Sequence, residues 1–160
     1  MTIYLIHEKS ETFEAYKLFH AWVTNQLGKQ IKCLHTDHGG EYLSDKFTRF
    51  LDNNGIERKL TIHDTPKENG IMERLNCMLQ EKVRAMMYAA KLPEGLWGEA
   101  LMHATWLKNR TWTWSLPQGL TPYEMVTGET PVLCNVPEWG AVVWDHNTSN
   151  SKLRECAKEG

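Results

Sequence analysis

The stretch IKCLHTDHGGEY, residues 31–42, carries the reading of the fold. IKCLHT packs apolar and β-branched residues into a short run and reads as a strand, and Gly39-Gly40 ends it. Asp37 stands at the exit. A lone aspartate before two glycines is ordinarily a turn residue, because its side chain hydrogen-bonds the backbone two positions on. In open α/β sheets, however, ligands bind beyond the carboxyl ends of the strands. An acidic group held there is therefore also a candidate for metal chemistry.

Upstream, TIYLIH (residues 2–7) alternates apolar and β-branched residues and predicts another strand. Ser10, Thr12 and Glu14 are helix-start signals, and Phe13, Tyr16, Phe19, Trp22 and Val23 recur at helical spacing as far as Leu27, where Gly28 stops them. Downstream, residues 44–53 carry Phe47, Phe50 and Leu51 on a short helix closed by Asn54-Gly55, and residues 56–62 predict a third strand. Thr65-Pro66 opens a loop. From Asn69, the positions Ile71, Met72, Leu75, Met78, Leu79, Val83, Met86, Met87 and Ala90 recur at i, i+3, i+4, i+7 and predict a long amphipathic helix, broken by Pro93. Leu96, Trp97, Ala100, Leu101, Ala104 and Leu107 make the next helix. Thr121-Pro122 starts a short one through Val126, ended by Gly128. AVVW (141–144) is a candidate final strand, and the polar tail 149–160 is expected to be mobile. The order β-α-β-α-β-α-α-α is an α/β pattern with parallel connections.

A length of 160 residues fits one domain, and a hydrophobic fraction of 41% supports a core. The net charge of -2 lacks the basic excess typical of an autonomous nucleic-acid binder. Between residues 57 and 91 there are seven Lys/Arg against five Asp/Glu, a slight local excess. Cys33, Cys77, Cys134 and Cys156 form no CxxC pair, which fits reduced thiols inside a cell rather than a zinc site or disulfide framework. No apolar run approaches a membrane span, and the N-terminus lacks a secretory signal pattern. Five of the seven tryptophans (97, 106, 112, 114 and 139) predict an apolar cluster in the second half of the chain. Met72, Met78, Met86 and Met87 read as core. Trp112 and Trp114 are expected to cover the helix pair, with base stacking as the alternative.

At 100° per residue, Glu73, Asn76, Cys77, Gln80 and Arg84 share one exposed ridge of the long helix. Taken singly, Glu73 reads as a first-turn acid complementing the helix dipole. Paired with Asp37 at a strand tip, it makes a hard, oxygen-rich site suited to Mg²⁺ or Mn²⁺, ions that can drive phosphoryl transfer.

Around this pair stand TDHGGEY, NNGIERKLT and TPKENGIMERLN, followed by LPEGLWGEALMHATWLKNR and LTPYEMVTGETPVL. Together these segments resemble the integrase catalytic core of retroviruses and long-terminal-repeat retrotransposons. They look closest to the copia type, with its pattern R-T/S-D-N-G-G-E-Y, N-G-I-x-H/R, T-P-x-x-N-G-x-x-E-R-x-N. The resemblance implies an RNase H-like α/β fold with a long core helix and additional C-terminal helices. It implies metal-dependent 3′-end processing and strand transfer of element DNA, with Mg²⁺ or Mn²⁺ as cofactor. DNA and further copies of the chain would be the partners, and the nucleus the place of action. Carried over by position, Asp37 and Glu73 match the second and third of the family's three metal carboxylates. Asn76 matches a common family asparagine. The run Thr65-Pro66-Lys67-Glu68-Asn69-Gly70 matches a mobile DNA-contacting loop, so Thr65, Lys67, Asn69, Gly70, Asn76 and Gln80 are the candidate DNA-binding residues.

His38 stands where the family has Asn, and His35 where it has Arg, which weakens the expected DNA contacts. Glu41 is expected to form a structural hydrogen bond. TIYLIHEKSE looks like the family's third strand, so the expected sheet is incomplete, with the first two strands and the first catalytic Asp missing. The family's upstream HHCC zinc module is likewise expected to be missing from this piece. Asp45 and Asp64 are poorly spaced to replace the missing acid. The implied organisation is a partial core over 1–110, an extension over 111–145 and a polar tail or linker over 146–160, a polyprotein piece truncated at both ends. Integration impaired in the isolated piece is the first functional expectation. A non-catalytic nucleic-acid-binding or interaction remnant is the alternative, and a remnant without function is the bland one.

Overall fold

A computed structural model describes residues 1–60, 66–117, 119–146 and 157–159. A 3-10 turn, Lys9–Glu11, leads into helix α1, Thr12–Leu27. Gly28 closes α1 at φ 58°, a left-handed conformation that glycine adopts without a Cβ penalty, and its N–H donates to the Val23 carbonyl. Strand β1 (Cys33–Thr36), helix α2 (Asp45–Asn53) and strand β2 (Glu57–Leu60) form a β-α-β unit. The two strands are parallel, with Cys33 opposite Glu57 and Thr36 opposite Leu60.

The core forms where α1 and α2 meet this small sheet. Phe47 is 0% exposed and Leu51 2%, and with Ile56 they are covered by Phe13, Tyr16, Ile31, Leu34 and Tyr42. The Phe47 ring lies 5.2 Å from Phe13, 5.0 Å from Tyr16 and 5.7 Å from Tyr42, inside the favourable range for aromatic pairs. Gly55, at φ 64°, turns the chain back so that the Ile56 N–H donates to the Leu51 carbonyl at 2.9 Å. Arg58 ties β2 to α2 through a 3.0 Å bond from its guanidinium to Thr48 Oγ1.

Helix α3 (Pro66–Ala90) begins earlier than the periodicity predicts. Residues 66–70 are helical rather than loop, because Pro66 suits a first helical turn, where no backbone donor is needed. α3 packs against α4 (Trp97–Arg110), whose buried residues Gly98, Ala100, Ala104 and Thr105 are all small. Among the described side chains of α3, Leu79 is buried. Met78, Met86 and Met87 are half-buried, so this stripe is a helix–helix seam rather than a deep core.

The segment 2–7 is not a strand. Its alternating pattern is suited to a sheet, but a strand exists only through ladder bonds to a neighbour, and no described strand lies beside it. It runs instead along α4. Met1 N donates to Asn109 Oδ1 and Asn109 Nδ2 donates to the Met1 carbonyl, both at 2.7 Å, while Leu5 lies over Gly98, where an added Cβ would come within 2.8 Å of its methyl.

In the second half, the tryptophan-rich region does form a cluster. The His103 ring stacks on Trp106 (6.0 Å, 14°) and lies 5.4 Å from Trp139. Trp112 and Trp114 do not cover the helices as expected. They pair with each other at 4.2 Å and stay 40% and 87% exposed, because the chain leaves α4 in extended form at Thr111 and carries them outward. Helix α5 (Pro122–Thr127) has a capping box: Glu124 N donates to Thr121 Oγ1 at 3.2 Å, and Thr121 N donates to Glu124 Oε2 at 2.8 Å. These bonds to Thr121, backbone first, hold the Glu124 carboxyl below its ordinary value. The stability linked to that charge is present above the unfolded-state value and is lost as pH falls through the depressed one. Replacing Thr121 with alanine is expected to lower stability by about 1 kcal/mol, read by urea denaturation, and to move the Glu124 titration back up, read by NMR.

Strand β3 (Trp144–His146) is antiparallel to β4 (Ala157–Glu159). The strand predicted at 141–144 therefore lies slightly later. Most of the tail, 149–156 and Gly160, lies outside the described residues, as do positions 61 and 62 of the third strand. Cys33, Cys77 and Cys134 are free thiols. Among the described residues no helix is long and apolar enough to cross a membrane.

Candidate metal and nucleic-acid site

The site begins where β1 ends. Asp37 follows Thr36 directly, is exposed, and its Oδ1 accepts the Gly39 N–H at 3.1 Å. That is the turn role of an aspartate, and it occupies one carboxylate oxygen while leaving Oδ2 open. The Tyr42 N–H donates to the Gly39 carbonyl at 3.0 Å and tightens the loop. Glu41 folds back over Gly39, and a Cβ at Gly39 would sit 2.9 Å from its carboxylate, so only glycine permits this placement. The Glu41 carboxylate makes no hydrogen bond among the described residues, contrary to the structural bond expected of it. It lies with Asp37 near the Tyr42 phenol. Burial pushes the Tyr42 hydroxyl up, and the Asp37 and Glu41 charges push it further. The tip of β1 is thus more acidic than Asp37 alone implies, a point concealed in the sequence because the fold-back depends on the turn.

Parallel pairing places the end of β2 at the same sheet edge, with Leu60 opposite Thr36. In the chain, α3 is the next described element after β2. Glu73, at the start of the third turn of α3, is exposed and makes no hydrogen bond or ion pair among the described residues. Asn76, Cys77, Gln80 and Arg84 are also exposed, as the helical-ridge argument requires. Gly70 leaves open space where a side chain would stand, and its carbonyl accepts from Arg74 Nε at 2.9 Å. Lys67 and Asn69 lie in the first turns of α3, and Thr65 falls outside the described residues. Among the described residues no three His, Cys, Asp or Glu side chains converge on one metal position.

No family model matches the chain. A 109-residue segment, 68% of the chain, is 40% identical to the retrovirus-related Pol polyprotein from transposon TNT 1-94 of Nicotiana tabacum. This chain is a relative of transposon Pol polyproteins. The corresponding polyprotein from transposon RE2 of Arabidopsis thaliana is 26% identical over 159 residues, 98% of the chain. The chain spans only 8% and 11% of these two relatives. Among solved structures, the HTLV-2 integrase catalytic core domain in complex with magnesium matches at TM-score 0.53 and 23% identity, over 74% of this chain and 69% of that one. The simian T-cell lymphotropic virus intasome, in complex with a PP2A regulatory subunit, matches at 0.57 and 23%, over 99% and 55%. The BIV integrase catalytic core matches at 0.55 and 21%, over 78% and 76%. The fold of this Pol relative is accordingly that of an RNase H-like integrase core, as the motifs implied.

Proposed function

We propose that this chain is the part of a retrotransposon integrase core that contributes two carboxylates and a DNA-facing helix to DNA integration. The observation that supports the reading is the shared sheet edge: Asp37 follows the end of β1, the paired end of β2 lies beside it, and α3, next in the chain, exposes Glu73 without a partner among the described residues. Both groups offer hard oxygen donors with free lone pairs, a donor set that fits one Mg²⁺ or Mn²⁺ with water completing its shell. When bound, the ion supplies Lewis-acid stabilisation of charge on the attacking and leaving oxygens. Asp37 and Glu73 would hold and orient it. Asn76 and Gln80, one and two turns beyond Glu73, present amides along the same ridge to DNA, and the start of α3, with Lys67, Asn69 and Gly70 and preceded by Thr65, favours phosphate. Element ends and target DNA are the substrates, and self-association and nuclear action follow the same reading.

Two carboxylates fall short of a two-ion site. The 160-residue chain alone is therefore expected to bind Mn²⁺ and a labelled element-end oligonucleotide, the latter in a salt-dependent way, without carrying out strand transfer. Robust strand transfer by the isolated chain would overturn the impairment; failure to bind either ligand would overturn the whole reading. A second reading, a non-catalytic nucleic-acid-binding remnant, is favoured by the exposed Trp112–Trp114 pair, which is available to stack on bases. Oligonucleotide binding that survives loss of Asp37 and Glu73 but not of Trp114 selects it.

A further inference from the structure

A cavity of about 420 Å³ opens between α1, the end of α4 and α5, away from the carboxylates. Its walls are apolar, with Phe19, Trp22 and Val23 from α1 and Tyr123 and Val126 from α5. Among the described lining residues Arg110 carries the one charged side chain and no carboxylate is present, while the Met1 ammonium, also in the lining, is bonded to Asn109 Oδ1. The guanidinium is held against two rings, with its carbon 4.2 Å from the centre of the Trp106 ring and 4.4 Å from that of Tyr123. Contact with two aromatic rings restrains the group while leaving N–H donors for a further partner. Of its five N–H donors, one makes a long 3.4 Å bond to the Trp106 carbonyl, and Arg110 has no further partner among the described residues. The nearby Glu129 carboxylate meets the Tyr123 hydroxyl at 3.5 Å rather than Arg110. Asn109, the other polar wall residue of α4, is used on both sides by Met1.

We propose that this cavity is a binding site for a small monocarboxylate with an apolar body, whose carboxylate takes the open edge of Arg110. A half-buried cation with unused donors favours an anion, because charge-assisted bonds are the strong ones and the fork geometry of arginine matches a carboxylate. With the Met1 ammonium already held by Asn109, the guanidinium is the cation left to match one negative charge. Apolar walls and a volume within the range of small-molecule sites favour a compact aliphatic or aromatic body over a nucleic-acid backbone, which calls for a row of cations.

The test titrates the purified chain with octanoate and, separately, 1-octanol, following amide shifts in α1 and α5 and the Arg110 Nε–H by NMR. Octanoate is expected to bind at least about tenfold more tightly than the alcohol, with shifts at Val126 and Arg110. Arg110→Gln should bring octanoate down to the level of octanol while leaving the alcohol unchanged. Because losing the ring contacts could unfold α5, Val126→Glu, at a 54% exposed rim position, provides an independent arm. Its carboxylate should occupy Arg110 and weaken octanoate about tenfold with the circular dichroism spectrum unchanged. Equal binding of acid and alcohol, undiminished octanoate binding in either folded variant, or shifts confined to other parts of the chain would overturn the proposal.

Discussion

Phe47→Ala is expected to lower stability by about 3–5 kcal/mol, which approaches the whole stability of a small domain. The Phe47 side chain is fully enclosed, and three aromatic rings, Phe13, Tyr16 and Tyr42, rest directly on it from α1 and the acidic loop. Truncation removes the transfer energy of the ring and leaves a cavity that two helices and a two-stranded sheet cannot close without shifting together. Phe50, one turn on, touches Phe13, Tyr16 and His20 edge-on but is only half-buried, so Phe50→Ala should cost distinctly less. Urea denaturation of both variants checks this. A loss under about 1 kcal/mol for Phe47→Ala would mean that the core lies elsewhere. Because Tyr42 bridges Phe47 to the Asp37 turn, the same variant should also loosen the candidate metal site.

The second large effect concerns the carboxylates. Asp37→Asn and Glu73→Gln are each expected to weaken Mn²⁺ binding by about tenfold to a hundredfold, since losing a direct oxygen ligand costs no less than losing its supporting partner. The double variant should be little worse than either single one. Two ligands of one ion act as a unit, and coupling between them shows as non-additivity, whereas two separate weak sites would give additive losses. Proton relaxation enhancement by Mn²⁺ supplies the affinities. Additive losses would break the pair and with it the proposed integration chemistry. Glu41→Gln is the control: its carboxylate lies beside the Asp37 turn, and a small, salt-sensitive loss is all that proximity predicts.

Much of the architecture was legible because local periodicity encodes it. The ridge of Glu73, Asn76, Gln80 and Arg84 follows from helix geometry alone, and the structure leaves all four exposed. The Gly28 and Gly128 stops and the Thr121-Pro122 start of α5 were likewise readable, since each depends on neighbours a few positions away, and the apolar runs of β1 and β2 were readable as strands that then found each other as partners. The segment 2–7 was misread for the opposite reason. Its alternation states which side chains could face a core, but a strand requires a partner, and residues 2–7 instead run along α4.

From sequence by itself came the kinship with integrase cores, the helix that displays Glu73, and the position of Asp37 at a strand exit. Tertiary structure alone decided that Glu41 folds over Gly39 to sharpen the acidic tip, that Trp114 faces solvent, and that Tyr123 lies against Arg110. The division has a physical basis. Hydrogen-bonded periodicity acts over three or four residues, whereas exposure, charge clustering and ring stacking depend on segments that meet only when the chain packs.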